Sequence, residues 1–230
     1  MFGEGPRSLL AIVAALNEQE GIGPTITELQ AQFRNVHIVV VDGKSEDHTV
    51  EVARDMGAEV ISQIGKGKGD ALAQVIRQVK TDADYVITTD ADYTYPAAYL
   101  PKMIKIIEED PKIGMVCGNR FNSHFRMDHM NNVFHVGNRV LAFTHNLFNG
   151  VALRDPLTGL RVVRWEILRN WIPRSRGFDI EVELNHHVER RGYSIVEIPI
   201  SYRDRLGEKK LKLRHGATIL GRIILEVMHS

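Results

Sequence analysis

Cysteine is nearly missing from this chain. Cys117 stands alone among 230 residues, which excludes an internal disulfide framework and permits a reducing compartment. An excess of either charge is missing too: 29 Lys and Arg face 29 Asp and Glu, so no global field draws the chain toward nucleic acid. No hydrophobic run approaches the ~18 residues that a membrane span needs, which predicts a protein that is soluble or rests on a bilayer without crossing it. The apolar stretch Leu9–Leu16 is too short for a secretory signal, follows a single Arg7 and is closed by Asn17-Glu18, so it reads as a buried first strand. Internal repeats, low-complexity linkers and a clear domain boundary are absent as well. What is present is 43% hydrophobic and 25% charged residues, enough to bury a full core in one large domain.

The first half alternates strand and helix patterns. Val36–Val41, like Leu9–Leu16, is a short apolar run rich in β-branched residues, as strands covered on both faces require. Between them Ile22, Ile26, Leu29 and Phe33 form one helical face, and Thr25 with Glu28 has capping-box spacing after Pro24. Helix patterns from Asp47, through Leu72–Val79 and over Ala97–Glu109 alternate with strands at Glu59–Ser62, Tyr85–Thr89 and Ile113–Cys117. Short connections between such elements predict an α/β fold with a mostly parallel sheet and helices on both faces. Further on, Val133–Phe148 and Ile180–Arg190 read as helices, and Val196–Tyr202 as a half-buried strand that Pro199 assigns to an edge. A last apolar face, Ile219, Leu220, Ile223, Ile224 and Val227, follows a basic tract from Arg203 to Arg214.

Ligands of open parallel sheets bind at the carboxyl ends of the strands, and the polar tripeptides of this chain fall there. Asp90-Ala91-Asp92 follows the apolar strand Tyr85–Thr89 directly. Two carboxylates one residue apart can converge on a hard cation that bridges diphosphate oxygens; the bland alternative is a turn. Asp42 ends the second strand and can accept hydrogen bonds from a nucleobase, while Asp47 reads as the N-cap of the helix that follows. Gly65–Asp70 fits neither the P-loop nor the dinucleotide fingerprint. It reads as a flexible loop whose Lys66 or Lys68 reaches a diphosphate, or as a solvated turn.

Asn17-Glu18, Asp42-Gly43-x-Ser45-x-Asp47-x-Thr49, Gly67-x-Gly69 and Asp90-Ala91-Asp92 together resemble glycosyltransferase family 2, whose nucleotide-binding half has the GT-A fold. Gly118-Asn119-Arg120, Asp155–Arg161, Gly177–Glu181 and Glu197–Arg203 resemble its polyprenyl-phosphate hexose synthase branch, which includes dolichyl-phosphate mannose synthase. The likeness spans about residues 9 to 214. It implies donor contacts from Ala15, Asn17, Glu18, Asp42, Lys68, Asp90, Ala91, Asp92 and Arg203. It also implies Mg²⁺ or Mn²⁺ on Asp90 and Asp92, with Thr94 near the outer ligands. Arg120 would meet the acceptor phosphate, with Lys209 and Lys210 over the diphosphate or lipid phosphate. Three departures stand out. Ala14 replaces a proline, Asn131 and His135 stand where mannose synthases carry an acceptor-side arginine and serine, and Phe178 replaces the glutamate of a Glu-Asp pair.

The resemblance implies an inverting, metal-dependent glycosyltransferase. It would move a hexose or N-acetylhexosamine from a UDP- or GDP-sugar to a polyprenyl (dolichyl) phosphate, as a peripheral protein on the cytoplasmic face of a membrane. Residues 8–118 would form the nucleotide-sugar half, 119–214 the acceptor half, and 215–230 an amphipathic helix. A phosphate acceptor is already an anion, whereas a hydroxyl acceptor needs a general base. Asp92 and Arg120 are the catalytic candidates in the first case, and Asp179 joins them as the base in the second, unless it is only a helix cap. The last helix either lies on anionic lipid with its basic tract or packs back on the sheet.

Overall fold

In β1 (Leu9–Ala15) both sets of alternating residues are apolar and buried. Leu9, Ala11, Val13 and Ala15 join one core layer, and Leu10 and Ile12 the other. Such a strand has to lie inside a sheet covered on both faces. The structure, a computed structural model that describes residues 8–121, 153–208 and 214–228, has that arrangement. The strands β1, β2 (Val36–Asp42), β3 (Glu59–Ser62), β4 (Tyr85–Asp90), β5 (Ile113–Asn119), β6 (Arg161–Arg164) and β7 (Ser194–Pro199) form one sheet in the order β3-β2-β1-β4-β6-β5-β7. β1 pairs in parallel with β2 and β4, β2 with β3, and β5 with β7, whereas β6 runs antiparallel to both its neighbours. The expected mostly parallel α/β sheet is therefore present, with β7 at an edge.

One face carries α1 (Gln19–Gln32), α2 (Thr49–Asp55) and α4 (Leu100–Glu109), whose Ile22, Ile26, Leu29, Ala53, Leu100, Met103 and Ile107 share a core layer. The other carries α3 (Lys68–Gln78), the short α5 (Trp165–Leu168) and α6 (Ile180–Arg190), through Leu72, Val75, Ile167, Leu184 and Val188. The terminal helix α7 (Arg214–Met228) packs on α6 through a small cluster of Ile219, Ile223 and Val182 with Leu157 and Phe178.

Two sequence expectations need correction. α1 begins at Gln19, so Pro24 lies inside it and Thr25 and Glu28 do not cap it. Glu28 instead accepts hydrogen bonds from Tyr93 Oη at 3.1 Å and the Ala97 amide at 3.0 Å. The antiparallel β6 was not anticipated at all. The expected helix Val133–Phe148 lies outside the described residues.

Candidate active site

Strand register builds the rim. Ala15 pairs with Asp42 and Ala14 with Asp90, so the ends of β2 and β4 flank the end of β1. The antiparallel β6 starts at this rim, with Arg161 opposite Thr88 and Cys117, and β7 ends there with Pro199 opposite Asn119. α1 comes close enough that a Cβ on Gly21 would stand 2.5 Å from the Ala91 carbonyl oxygen, and one on Gly159 would stand 2.7 Å from Asp90 Oδ2. Glycine at these two positions lets a helix and a loop close around the Asp90-Ala91-Asp92 turn.

Asp90 and Asp92 are both at the rim but are held differently. Asp92 Oδ1 accepts from Thr94 Oγ1 at 2.6 Å and from the Thr94 amide at 3.2 Å. Thr94 thus orients Asp92. Burial first, and then the neighbouring charge of Asp90, pushes the Asp92 carboxyl above its ordinary range. Asp90 Oδ1 takes the Lys68 ammonium at 2.6 Å, and the same ammonium reaches Glu181 Oε1 at 2.8 Å. Burial opposes the charge on Lys68, but the two carboxylates outweigh it and raise its pKa. The Gly65–Asp70 segment is not a loose loop: Gln63 Nε2 bonds the Gly67 carbonyl, and the amides of Gly69 and Asp70 donate to the Arg176 carbonyl. Lys68 turns inward from it.

The loops after β1 and β2 are laced together. The Asn17 amide donates to Ser45 Oγ and Asn17 Oδ1 accepts from the Glu46 amide, both at 2.8 Å. The Glu18 amide donates to Thr49 Oγ1 at 2.8 Å. Asp42 accepts from the amides of Lys44 and Ser45 at 3.0 and 3.2 Å, so it shapes the loop that follows it. Asp47 accepts from the Thr49 amide at 3.0 Å, although the residue at the cap position is His48. Beside these loops lies a cleft of about 350 Å³ lined by Asn17, Glu18, Gln19, Glu46, Asp47 and Gly207, among others. That volume is in the range of small-molecule sites.

Beyond β7 the chain forms a strap over the rim. The amides of Arg203 and Leu206 donate to the carbonyls of Thr94 and Asp92, each at 3.0 Å. Arg203 pairs with Glu28 at 2.7 Å and stands 4.3 Å over the Tyr93 ring. Arg205 pairs with Glu18 at 2.6 Å and lies 3.6 Å from Asp92. Arg120 is buried and forked onto Asp155, Nε at 2.6 Å and Nη2 at 2.7 Å, leaving Nη1 as the remaining corner. Asp179 precedes α6 without capping it; its oxygens accept from the Gly177 amide at 3.2 Å and Arg222 Nε at 3.0 Å.

The structure thus brings Ala15, Asn17, Glu18, Asp42, Lys68, Asp90, Ala91, Asp92, Thr94, Arg120 and Arg203 to one rim, and places Asp179 against α7. Asn131, His135, Lys209 and Lys210 lie outside the described residues. Glu181, Asp155 and Arg205 had no assigned role, and Glu28 had only that of a helix cap. For Arg205 a signal existed: in an extended segment, residues two apart point the same way, so Arg203 implies Arg205. Among the described residues no group of three or more His, Cys, Asp or Glu side chains converges on a metal position. Asp90 and Asp92 are two carboxylates, fewer than the full oxygen shell of a hard cation, so an ion held there would need further oxygen ligands.

A rim of acidic strand ends on such a sheet is the architecture of GT-A glycosyltransferases. Glucosyl-3-phosphoglycerate synthase from Mycobacterium tuberculosis, solved with Mn²⁺, UDP and glucosyl-3-phosphoglycerate, superposes with a TM-score of 0.75 at 21% identity, over 97% of this chain and 79% of that one. The profile of Glycosyl transferase family 2 matches residues 10–171, and the chain belongs to that family. It is 34% identical to a dolichyl-phosphate hexose transferase of Haloferax volcanii, over 95% of this chain and 93% of the relative. It is also 31% identical to the low-salt glycan biosynthesis hexosyltransferase Agl6 of that organism, over 89% of this chain and 50% of the relative.

Proposed function

We propose that the chain transfers a hexosyl or N-acetylhexosaminyl unit, with inversion, from a UDP- or GDP-sugar to a polyprenyl phosphate at the cytoplasmic face of a membrane. The observation that carries the donor half is the Asp90–Asp92 pair, with Asp92 buried and Asp90 half-buried, whose charge is offset in this structure only partly, by Lys68 and Arg205. Such a pair suits a divalent cation bound together with a diphosphate. Asp90 and Asp92 would hold Mg²⁺ or Mn²⁺, and that ion would neutralise charge on the departing nucleoside diphosphate. Thr94 sets the Asp92 carboxylate, and Gly159 leaves space beside Asp90. The cleft between Asn17, Glu18, Asp47 and Gly207 is the place for the nucleoside, and Arg203 and Arg205 add positive charge from the strap.

The acceptor assignment rests on chemistry and on kinship. A lipid phosphate attacks as an anion at neutral pH and asks no side chain for proton removal. The nearly full-length relative named for dolichyl phosphate and hexose supports a lipid phosphate over a hydroxyl. Arg120 would offer its Nη1 corner to that phosphate. In this reading residues 8–118 handle the donor, 119–214 the acceptor, and 215–230 the bilayer contact. No described helix is long and apolar enough to cross a membrane. α7 exposes Leu220, Ile224 and Leu225, which suits peripheral contact.

A panel of UDP- and GDP-sugars, offered with a short polyprenyl phosphate and Mn²⁺, tests the whole reading. Lipid-linked sugar detected by mass with one donor is expected. Transfer to sugar hydroxyls alone, with none to the lipid, would move the function to a hydroxyl-acceptor enzyme.

A further inference from the structure

We propose that Asp179 and Arg222 form an anchor that fixes the first turn of α6, and through Glu181 the Lys68 ammonium at the donor site, so that Asp179 is a positioning residue and not a base. The first turn of α6 has Asp179 at its start and Glu181 two residues on, and its attachment to α7 helps to hold that turn in place. The apolar part of that attachment is small, Ile219 and Ile223 against Val182. The polar part has two ties: Arg222 Nε donates to Asp179 Oδ2 at 3.0 Å with Nη1 4.0 Å from Glu183 Oε2, and at the other end of α6 Arg190 Nη2 donates to the Glu226 carbonyl at 2.8 Å, so that the Arg222 tie is the one that meets the first turn.

Asp179 is only 4% exposed, and each of its oxygens already accepts a hydrogen bond, Oδ1 from the Gly177 amide and Oδ2 from Arg222. A general base must aim a lone pair at the acceptor's proton. Asp179 aims its lone pairs at a backbone turn and at another helix. Two residues on, Glu181 pairs with Lys68, which pairs with Asp90. One helical turn therefore holds α7 on one side and a donor-side lysine on the other. Loosening the anchor disturbs the Glu181–Lys68–Asp90 chain on the donor side.

The inference rests on the donor reading above, and the test separates the two. Titration of the full chain with UDP and with GDP, each with Mn²⁺, comes first; if neither binds the unaltered protein, the donor reading fails. Given binding, Asp179→Asn is expected to keep kcat within about threefold, because an amide oxygen still accepts from Arg222 Nε. Asp179→Ala and Arg222→Gln should each weaken nucleoside diphosphate binding and raise donor KM by about tenfold. The double variant should be no worse than either alone, since both remove one contact. Arg222→Lys, which keeps the charge and loses the Nε bond, should fall between and serves if Asp179→Ala does not fold. The anchor is overturned if Asp179→Asn loses kcat by roughly 100-fold or more with donor binding intact, as loss of a base would require. Additive effects of Asp179→Ala and Arg222→Gln would overturn it equally.

Discussion

Arg120→Met tests what the guanidinium does before any substrate arrives. Asp155 is 1% exposed and accepts three hydrogen bonds from Arg120: Nε at 2.6 Å, Nη2 at 2.7 Å and the backbone amide at 3.0 Å. The substitution removes the two charged bonds and leaves a buried carboxylate facing Met. Breaking a buried ion pair from one side costs about 3–5 kcal/mol. A chain of this size loses roughly 2–4 °C of melting temperature per kcal/mol, so Tm should fall by about 6–20 °C. The magnitude is large because Asp155 is cut off from water and has no second cation beside it among the bonds described. Thermal unfolding of the purified protein without nucleotide reads it. Arg120→Met/Asp155→Leu, which removes both charges, should recover at least half the loss. A Tm change under about 2 °C for Arg120→Met would refute the argument, since Asp155 would then be satisfied without it. Arg120→Lys adds the functional arm: it keeps the charge but cannot fork, and it should raise the acceptor KM more than the donor KM. If only the donor KM moves, Arg120 serves the donor.

Three more outcomes are expected. Asp92→Asn should lower Mn²⁺-dependent turnover by at least roughly 100-fold and excess EDTA should do the same to the unaltered enzyme, whereas full activity of the variant in EDTA would remove the metal from the scheme. The same variant should be the more stable protein without metal at pH 7. Burial and then Asp90 raise the Asp92 pKa above its ordinary 3.8, so folding binds a proton and this group withdraws stability as pH rises from 3.8 through the raised value. The Tm gain of Asp92→Asn should therefore be full at neutral pH and shrink toward pH 4, and a gain that grows on acidification would contradict the shift. On α7, Leu220, Ile224 and Leu225 are 39%, 48% and 47% exposed, and burying them in lipid is worth on the order of 3 kcal/mol together. The full chain should float with anionic vesicles and be released by high salt, and Leu220→Glu/Ile224→Glu should float less at an unchanged Tm. Equal flotation of the two proteins would leave α7 without a membrane role.

The parts of the fold that were legible are those where one local signal suffices. β1, β2, β4 and β5 announce themselves because a strand buried on both faces has to be an apolar run, and their carboxyl ends had to carry the polar tripeptides. β6 escaped because Val162 and Val163 lie between arginines. The charge on Arg161 is buried only because Thr158, Pro156 and Asn185 supply oxygens to it, at 2.9, 2.7 and 2.6 Å. Thr158 and Pro156 are close in sequence, but Asn185 comes from α6, and no local pattern announces that the three converge. The misassigned cap at Thr25 and Glu28 has the same origin. Spacing allowed a capping box, but Glu28 is engaged by Tyr93, Ala97 and Arg203 from distant segments.

α7 carries the point furthest. Its periodicity puts Ile219, Leu220, Ile223 and Ile224 on one side and Arg222 and Glu226 on the other. The expected orientation put the apolar side toward lipid or the sheet and the polar side toward water. In the structure the boundary runs through the apolar side: Ile219 and Ile223 are buried on α6, while Leu220 and Ile224 face outward. The polar side is not in water either. Glu226 is buried and Arg222 reaches Asp179, because α6 begins with acidic residues that need a cation. Amphipathicity thus specifies which residues share a face, and the partner decides which way that face turns. Here the partner is a helix start rich in carboxylates, so an arginine turned inward and a pair of aliphatic residues turned outward are the lower-energy choice. The same inversion ties the outermost helix to the turn that holds Glu181 and Lys68, which is why the donor site should respond to a substitution at Arg222.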